Sequence, residues 1–240
     1  GVSRSRLDER RNLIQGFGRA KQSALKLEAE ALGRSREMAL DMLMNPTVDE
    51  AFNLEKEPRA LREKYGMHIC GQSVLTARRL TEAGLPVATV YCAAGDLNGS
   101  KGDHFDTHGD NFNKLKNILL PPFDQAASAL VEDLKERGKL DETLVVMLTD
   151  FGRTPKINGN AGRDHFPGVY SAVFAGGGIQ GGQVYGKSNP TGFEPTDKAC
   201  GPPDLHATIF HALGINPEHM IYDTDDRPLP ICDGKPLPLF

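Results

Sequence analysis

Two stretches of the sequence gather carboxylate and imidazole side chains. The first, GDHFDTHGDN, contains Asp103, His104, Asp106, His108 and Asp110. The second runs from LTDFGRTP to GRDH and contains Asp150, Asp164 and His165. Mixed carboxylate and imidazole ligands suit zinc, manganese or iron, and two such groups can hold a pair of ions. A metal pair can clamp the attacking and leaving oxygens at a phosphoryl or sulfuryl centre. The residue types therefore predict a divalent-metal site, with zinc or manganese as the cofactor.

Two arginines in the second stretch extend this chemistry. Arg153 and Arg163 can make bidentate contacts to a tetrahedral oxyanion, so they are predicted to bind the anion. The alternative is structural, because Asp and His are also common in turns, and Asp110 can cap the helix that follows it. Two such clusters, each after an apolar run, favour the metal interpretation. The histidines outside these stretches show no partner pattern and are predicted to be structural: His68, His206, His211 and His219.

Helical patterns fill residues 1–84. A charged segment reaches from Ser3 or Ser5 to Leu32, and SREMALDMLMNP follows it. TVDEAFNLEK is predicted to begin with a capping box formed by Thr47 and Glu50. EPRALREKYG and GQSVLTARRLTEAG complete the set, and Gly84 is the expected C-terminal stop of the last helix. These helices are expected to pack on the part of the chain that holds the two stretches.

The pattern changes after Gly84. Three apolar runs without alternation, PVATVYCA (86–93), ETLVVMLTD (142–150) and YSAVFAGG (170–177), occur among helical patterns at 110–118, 123–138 and 204–215. Unalternating strands favour an α/β fold with a mostly parallel sheet flanked by helices. Ligands of such sheets lie beyond the carboxyl ends of the strands, where both stretches fall. One domain is predicted, with a helical segment at 1–84, an α/β core at 85–215 and an extended proline-rich tail at 216–240.

Composition excludes several classes of protein. The net charge of −4 gives no reason to expect nucleic acid as a partner. No apolar run approaches the roughly 20 residues that a membrane span needs. The four cysteines form no CxxC pair and no zinc-ligand spacing, so they are interpreted as idle thiols or as one disulfide: Cys70, Cys92, Cys200 and Cys232. The oligomeric state is not indicated.

The motifs follow one another in an order that resembles that of a known protein family. FDTHGDN, PFDQAASALVEDLKERGKLDETLVV, LTDFGRTP, GRDHFPGVYSAVFAGGGIQGGQVYG and DLHATIFHALGI follow one another. This succession closely resembles the bacterial family catalogued as domain of unknown function 1501, an alkaline-phosphatase/sulfatase-like group. The resemblance covers nearly the whole chain. It implies an alkaline-phosphatase-like fold that is incomplete here, with this chain as the C-terminal part of a longer protein, and it implies an exported or periplasmic location.

The resemblance also implies roles for individual residues. Asp106 and His108 match an early Asp/His pair of the superfamily's two-metal site, Asp150 matches the aspartate of its Asp-His-Gly motif, and His165 matches its later histidine. Phe151 stands where the superfamily has a ligating histidine, so His104 and Asp164 are reserve ligands. The superfamily's nucleophile, a Ser, Thr or Cys, is expected to lie outside this chain.

Two functions follow as hypotheses. The first is a metal-dependent hydrolase of phosphate or sulfate esters, acting on a small molecule or a glycan. The second is a non-catalytic binding or scaffold module with a degenerate metal site. A shared metal site predicts that Asp150 lies within roughly 8 Å of an imidazole nitrogen of His108 or His165. Phe151 wedged among the ligands would favour the second hypothesis.

Overall fold

The structure, a computed structural model, describes residues 45–92 and 104–240 together with a few separate positions between 6 and 41. Most of the predicted helical segments at 3–32 and 35–46 lie outside the described residues. The helices are α1 (Pro46–Phe52), α2 (Arg59–Tyr65), α3 (Ile69–Glu82), α4 (Asn111–Lys114), α5 (Leu120–Glu136) and α6 (Pro202–Ala212). Short 3-10 turns at Leu54–Lys56 and Leu140–Glu142 and a π-helical turn at Leu115–Leu119 connect them.

The core of the helical part lies between α2, α3 and α5. Its buried residues are Tyr65, Cys70, Val74, Leu75, Ala126 and Ala129. The two alanines lie three positions apart on one face of α5, and their small side chains let α3 approach closely. This face of α5 is therefore a packing face.

Caps set the ends of these helices. Asn45 is the N-cap of α1, and its Oδ1 accepts the Thr47 N–H at 2.9 Å, so the predicted cap at Thr47 is wrong by two residues. His68 is the N-cap of α3 and accepts the Gly71 N–H through Nδ1 at 3.0 Å. The predicted stop at Gly84 is confirmed. This glycine has a positive φ of 96°, and the Leu85 N–H returns to the Leu80 carbonyl at 3.1 Å.

The strands form antiparallel pairs. β1 (Val145–Met147) pairs with β4 (Val173–Ala175), and β2 (Gly152–Arg153) pairs with β3 (His165–Phe166). β5 (Lys187–Ser188) pairs with β6 (Pro195–Asp197), and β7 (Met220–Tyr222) pairs with β8 (Pro228–Pro230). Across the described residues each sheet has two strands, so the prediction of a mostly parallel, alkaline-phosphatase-like α/β sheet is wrong.

The error has a physical cause. Unalternating apolar runs suggested strands covered on both faces, but these runs are partly exposed. Val87 is 62% exposed, Leu148 is 50% exposed and Val173 is 52% exposed. Residues 86–92 form no strand at all, although the run PVATVYCA was predicted to be one. An apolar run therefore did not indicate a central strand in this chain.

The C-terminal residues pack on α6. Asp204 lies in its first turn, where Oδ2 accepts the Gly201 N–H at 2.9 Å and Oδ1 accepts the Lys235 N–H at 3.0 Å. The Leu237 N–H donates to Thr208 Oγ1 at 2.9 Å, and the Leu237 side chain is buried. Residues 216–240 thus combine the β7–β8 hairpin with a segment held against this helix.

Among the helices described, none combines the length and the apolar character needed to cross a bilayer, as predicted.

Candidate metal centre

The β2–β3 hairpin carries one side of the centre. Arg153 pairs with His165, and Gly152 pairs with Phe166. A Cβ atom on Gly152 would lie 2.3 Å from the Val169 carbonyl oxygen, so a larger residue would force the backbone apart there. The glycine therefore allows β2 to pack closely against the chain at Val169 and Tyr170, shortly after β3.

The loop at 104–111 docks on the hairpin connection by backbone contacts. Three hydrogen bonds join them, from Asp110 N to Asn160 O at 3.0 Å, from Asn111 N to Ala161 O at 3.0 Å and from Arg163 N to Thr107 O at 3.1 Å. Gly162 lies so close to this loop that a Cβ atom would be 1.9 Å from the His108 carbonyl oxygen. The position of His108 relative to His165 is therefore determined by the backbone.

Three donor atoms converge where the loops meet. Asp106 Oδ1 lies 2.8 Å from His165 Nε2 and 3.0 Å from His108 Nε2, and the two Nε2 atoms are 3.1 Å apart. Tetrahedral ligands about 2.0–2.2 Å from a shared zinc ion lie roughly 3.3–3.6 Å from one another. The triangle is a few tenths of an ångström tighter than that, so a small outward movement of the side chains fits it to an ion. About half of each side chain is exposed, which leaves the triangle accessible.

Asp164 orients one of the imidazoles. Its Oδ1 lies 2.7 Å from His108 Nδ1, and the Asn158 amide donates to the same oxygen at 3.0 Å. The hydrogen bonds to His108 and Asn158 lower the pKa of Asp164, so it is a carboxylate acceptor near neutral pH. The proton of neutral His108 is then on Nδ1, and Nε2 presents its lone pair to the triangle. A carboxylate behind a ligating histidine is the usual outer contact of a metal site.

The charge state of Asp106 also fits a metal ligand. Two hydrogen bonds hold the pKa of Asp106 well below its usual range. The one from His165 has the larger effect, and the one from Arg153 adds to it. The His165 Nε2–H that points at Asp106 occupies the place of a metal bond. Metal binding at this atom therefore competes with a proton, as expected for an imidazole ligand.

Family membership follows from the whole chain. The sequence matches the family described as "Protein of unknown function (DUF1501)" over residues 1–238. The chain belongs to the DUF1501 family. Searches of the curated proteins and of the solved structures find no match. The predicted family is thus confirmed, whereas its wider kinship with alkaline phosphatases and sulfatases stays a prediction.

The two predicted anion-binding arginines of this DUF1501 protein are engaged by the protein itself. Arg153 donates to the Phe105 carbonyl at 2.9 Å, to Asp106 Oδ1 at 2.8 Å and to the Arg163 carbonyl at 3.2 Å. Arg163 donates to the carbonyl oxygens of Thr154 and Arg153. The Arg153 guanidinium joins the two loops, whereas the Arg163 guanidinium bonds within the hairpin, and the predicted role of both in anion binding stays a prediction.

Other predicted ligands lie outside the converging triangle. Asp150 Oδ1 accepts the Phe151 N–H at 3.0 Å and the Thr149 hydroxyl at 3.1 Å, so its carboxylate caps its own turn. His104 and Asp164, the reserve ligands, are not members of the group either, and Asp103 lies outside the described residues. The predicted approach of Asp150 to the imidazoles stays a prediction.

Phe151 is a neighbour of the triangle. Its ring centroid lies 4.2 Å from that of His165, with 39° between the ring planes. The phenyl ring supplies no lone pair, and it restricts the orientation of the His165 imidazole by packing against it.

Asn158 is the residue that the sequence analysis missed. Its amide donates to the His108 carbonyl at 3.0 Å as well as to Asp164, and its Oδ1 accepts the N–H groups of Asn160 and Gly162, both at 2.9 Å. The signal was present in INGNAG, because asparagine side chains commonly bond to the backbone two or more residues ahead in turns. The link to His108 across the two loops leaves no such pattern in the sequence.

Proposed function

We propose that this DUF1501 protein is a metal-dependent hydrolase of phosphate or sulfate esters that binds one divalent transition-metal ion. Asp106, His108 and His165 are the ligands. The observation that carries the proposal is the triangle of Oδ1 and two Nε2 atoms with edges of 2.8, 3.0 and 3.1 Å. One carboxylate and two imidazoles form a donor set that suits zinc or manganese, and three protein ligands leave a position for substrate or water.

Two neighbouring side chains orient the proposed ligands. Asp164 holds His108 with Nε2 toward the triangle, and Arg153 holds Asp106 through the same oxygen that would face the ion. When bound, a divalent ion supplies Lewis-acid polarisation of an ester oxygen and lowers the pKa of a water molecule. About half of each ligand side chain is exposed, so a substrate in solvent can reach the triangle. The proposal uses one ion because the part of the chain that the structure describes brings together one such group.

A second candidate is a binding module that holds metal without catalysis. Phe151 supports it, because the phenyl ring packs on His165 at 4.2 Å and offers neither a ligand nor a proton donor. The arginines support it too, because their donors already contact protein acceptors. Such a module would bind a phosphorylated or sulfated ligand at the ion and release it unchanged.

Metal content and turnover separate the candidates. The wild type, His165→Ala and the control His206→Ala are loaded with zinc or manganese, passed over a desalting column and analysed by elemental mass spectrometry. His206 is an exposed histidine of α6 outside the triangle. We expect roughly one ion per chain in the wild type and the control, and loss of the ion from His165→Ala with an unchanged circular dichroism spectrum.

The same samples are then assayed with p-nitrophenyl phosphate and p-nitrophenyl sulfate. Turnover that requires metal and disappears in His165→Ala supports the hydrolase. Stoichiometric metal without turnover of either ester supports the binding module instead. A wild-type protein that retains no metal contradicts both candidates.

A further inference from the structure

Two of the four cysteines meet in the helical core. Cys70 lies in the first turn of α3 and is 1% exposed, and Cys92 is half-buried and packs against the same core cluster. Cys92 thus packs on the cluster to which Cys70 belongs, and each thiol is near enough to shift the pKa of the other. They belong to separate segments of the chain, and the packing of the segment after α3 brings them together.

The two thiols differ in access and in acidity. The neighbouring Cys92 thiol, together with burial, raises the pKa of Cys70. The Cys70 thiol in turn stabilises the Cys92 thiolate and lowers the pKa of Cys92. The thiolate is the nucleophile in disulfide exchange, and it must be reached by the reagent. Cys92 satisfies both conditions, whereas Cys70 is buried.

We propose that Cys70 and Cys92 form a disulfide bond by exchange with a small-molecule disulfide such as glutathione disulfide. Cys92 loses its proton, its thiolate attacks one sulfur of the reagent, and the S–S bond of the reagent breaks to release one glutathione thiolate. Cys70 then loses its proton and attacks Cys92 Sγ in the mixed disulfide, which releases the second glutathione. The protein loses two electrons and two protons, and the reagent gains both to become two thiols.

The bond would tie the start of α3 to the segment that leads toward the metal centre. From Cys92 the chain continues through 93–103, outside the described residues, into the loop of Asp106 and His108. A cross-link from Cys70 to Cys92 also restricts the unfolded chain, which stabilises the folded state. We expect oxidation to raise Tm by roughly 5–10 °C for a chain of this size. The proposal does not depend on metal binding.

The remaining cysteines provide the controls. Cys232 Sγ donates to the Pro203 carbonyl at 3.2 Å, and Cys200 is exposed just before α6. The double variant C200S/C232S keeps the proposed pair and removes both competitors.

Peptide mapping tests the bond. The full chain is incubated with glutathione disulfide in the presence of EDTA, free thiols are alkylated, and the protein is digested without reductant. We expect a peptide containing Cys70 joined to one containing Cys92, in the wild type and in C200S/C232S alike. In C70S, glutathione should remain attached to Cys92. In C92S, Cys70 should stay unmodified because it is buried.

The wild-type map decides the question even if C70S fails to fold. Cross-links to Cys200 or Cys232 in place of the Cys70–Cys92 peptide would overturn the proposal. So would a wild-type protein that keeps glutathione on Cys92 without resolving it, or one in which neither thiol reacts.

Discussion

The helical core and the metal centre both bring opposite charges together, but they expose them differently. In the core, the Arg78 side chain is 1% exposed and contacts Glu57 at 2.9 Å and Asp133 at 3.1 Å, with those carboxylates 9% and 5% exposed. In the centre, Asp106, His108 and His165 are 47%, 46% and 48% exposed. The core charges contact one another and are closed to solvent, whereas the lone pairs of the centre can reach a ligand.

The physical consequence is a division of roles. A buried charge must have partners, because removing one partner leaves the other desolvated. Tyr65 adds a hydrogen bond to Asp133 at 2.8 Å, and burial raises the pKa of this phenol, so the hydroxyl stays a donor. Exposed ion pairs contribute about 0–1 kcal/mol because water solvates each member when the pair breaks. Changes in the core should therefore reduce stability, and changes in the centre should reduce metal binding.

The largest effect is expected for Arg78→Met. The substitution removes the buried cation that Glu57 and Asp133 share and leaves them with the more exposed Arg79 and Arg137, so the free energy of unfolding should fall by about 3 kcal/mol. Urea unfolding followed by circular dichroism measures it. Arg59→Ala, which removes an exposed pair with Glu63, is the matched control and should cost less than about 1 kcal/mol. Equal costs for the two variants would show that burial of the Arg78 pairs adds nothing to stability.

For Asp164→Asn we expect weaker metal binding with little change in stability. The amide cannot accept the His108 Nδ1 proton with the strength of a carboxylate, so metal affinity should fall about 10–100-fold while the urea midpoint hardly changes. Titration calorimetry with zinc gives the affinity. Asp141→Asn makes the same change on the exposed turn at Leu140–Glu142 and should bind metal like the wild type. An affinity equal to that of the control would show that Asp164 does not orient His108.

The smallest effect is a dependence of stability on acid pH. Burial opposes the charged form of Glu57, but hydrogen bonds from Arg79 and Arg78 outweigh it and lower the pKa of Glu57. A lowered carboxyl pKa stabilises the fold above the unfolded value of about 4.3, and this contribution is lost as pH falls through the folded value. Urea midpoints between about pH 6 and pH 3.5 should decline less steeply in Glu57→Gln than in the wild type.

Glu50 is the exposed comparison for this experiment. Its pair with Lys56 at 2.8 Å lies in solvent, so Glu50→Gln should leave the acid decline close to that of the wild type. A decline that flattens equally in both variants would mean that burial of Glu57 adds nothing to its effect.

Within the described residues, local patterns predicted the helices well and the sheets poorly. GQSVLTARRLTEAG became most of α3, and FDQAASALVEDLKERG became most of α5, because a helix closes its hydrogen bonds within its own segment. A strand finds its partner elsewhere in the chain. The run ETLVVMLTD does contain β1, but the sequence did not reveal that its partner, β4, would be antiparallel.

The sequence by itself determined the membership in the DUF1501 family, the helices of the described residues and the residue types of the metal centre. Tertiary structure alone decided which of those residues meet. Asp106, His108 and His165 converge because backbone hydrogen bonds and the close approach at Gly162 join two loops that are distant in the sequence. The same docking turns Asp164 toward His108 while Asp150 caps its own turn. Contacts of this kind depend on loop geometry rather than on periodicity, so spacing along the chain does not reveal them.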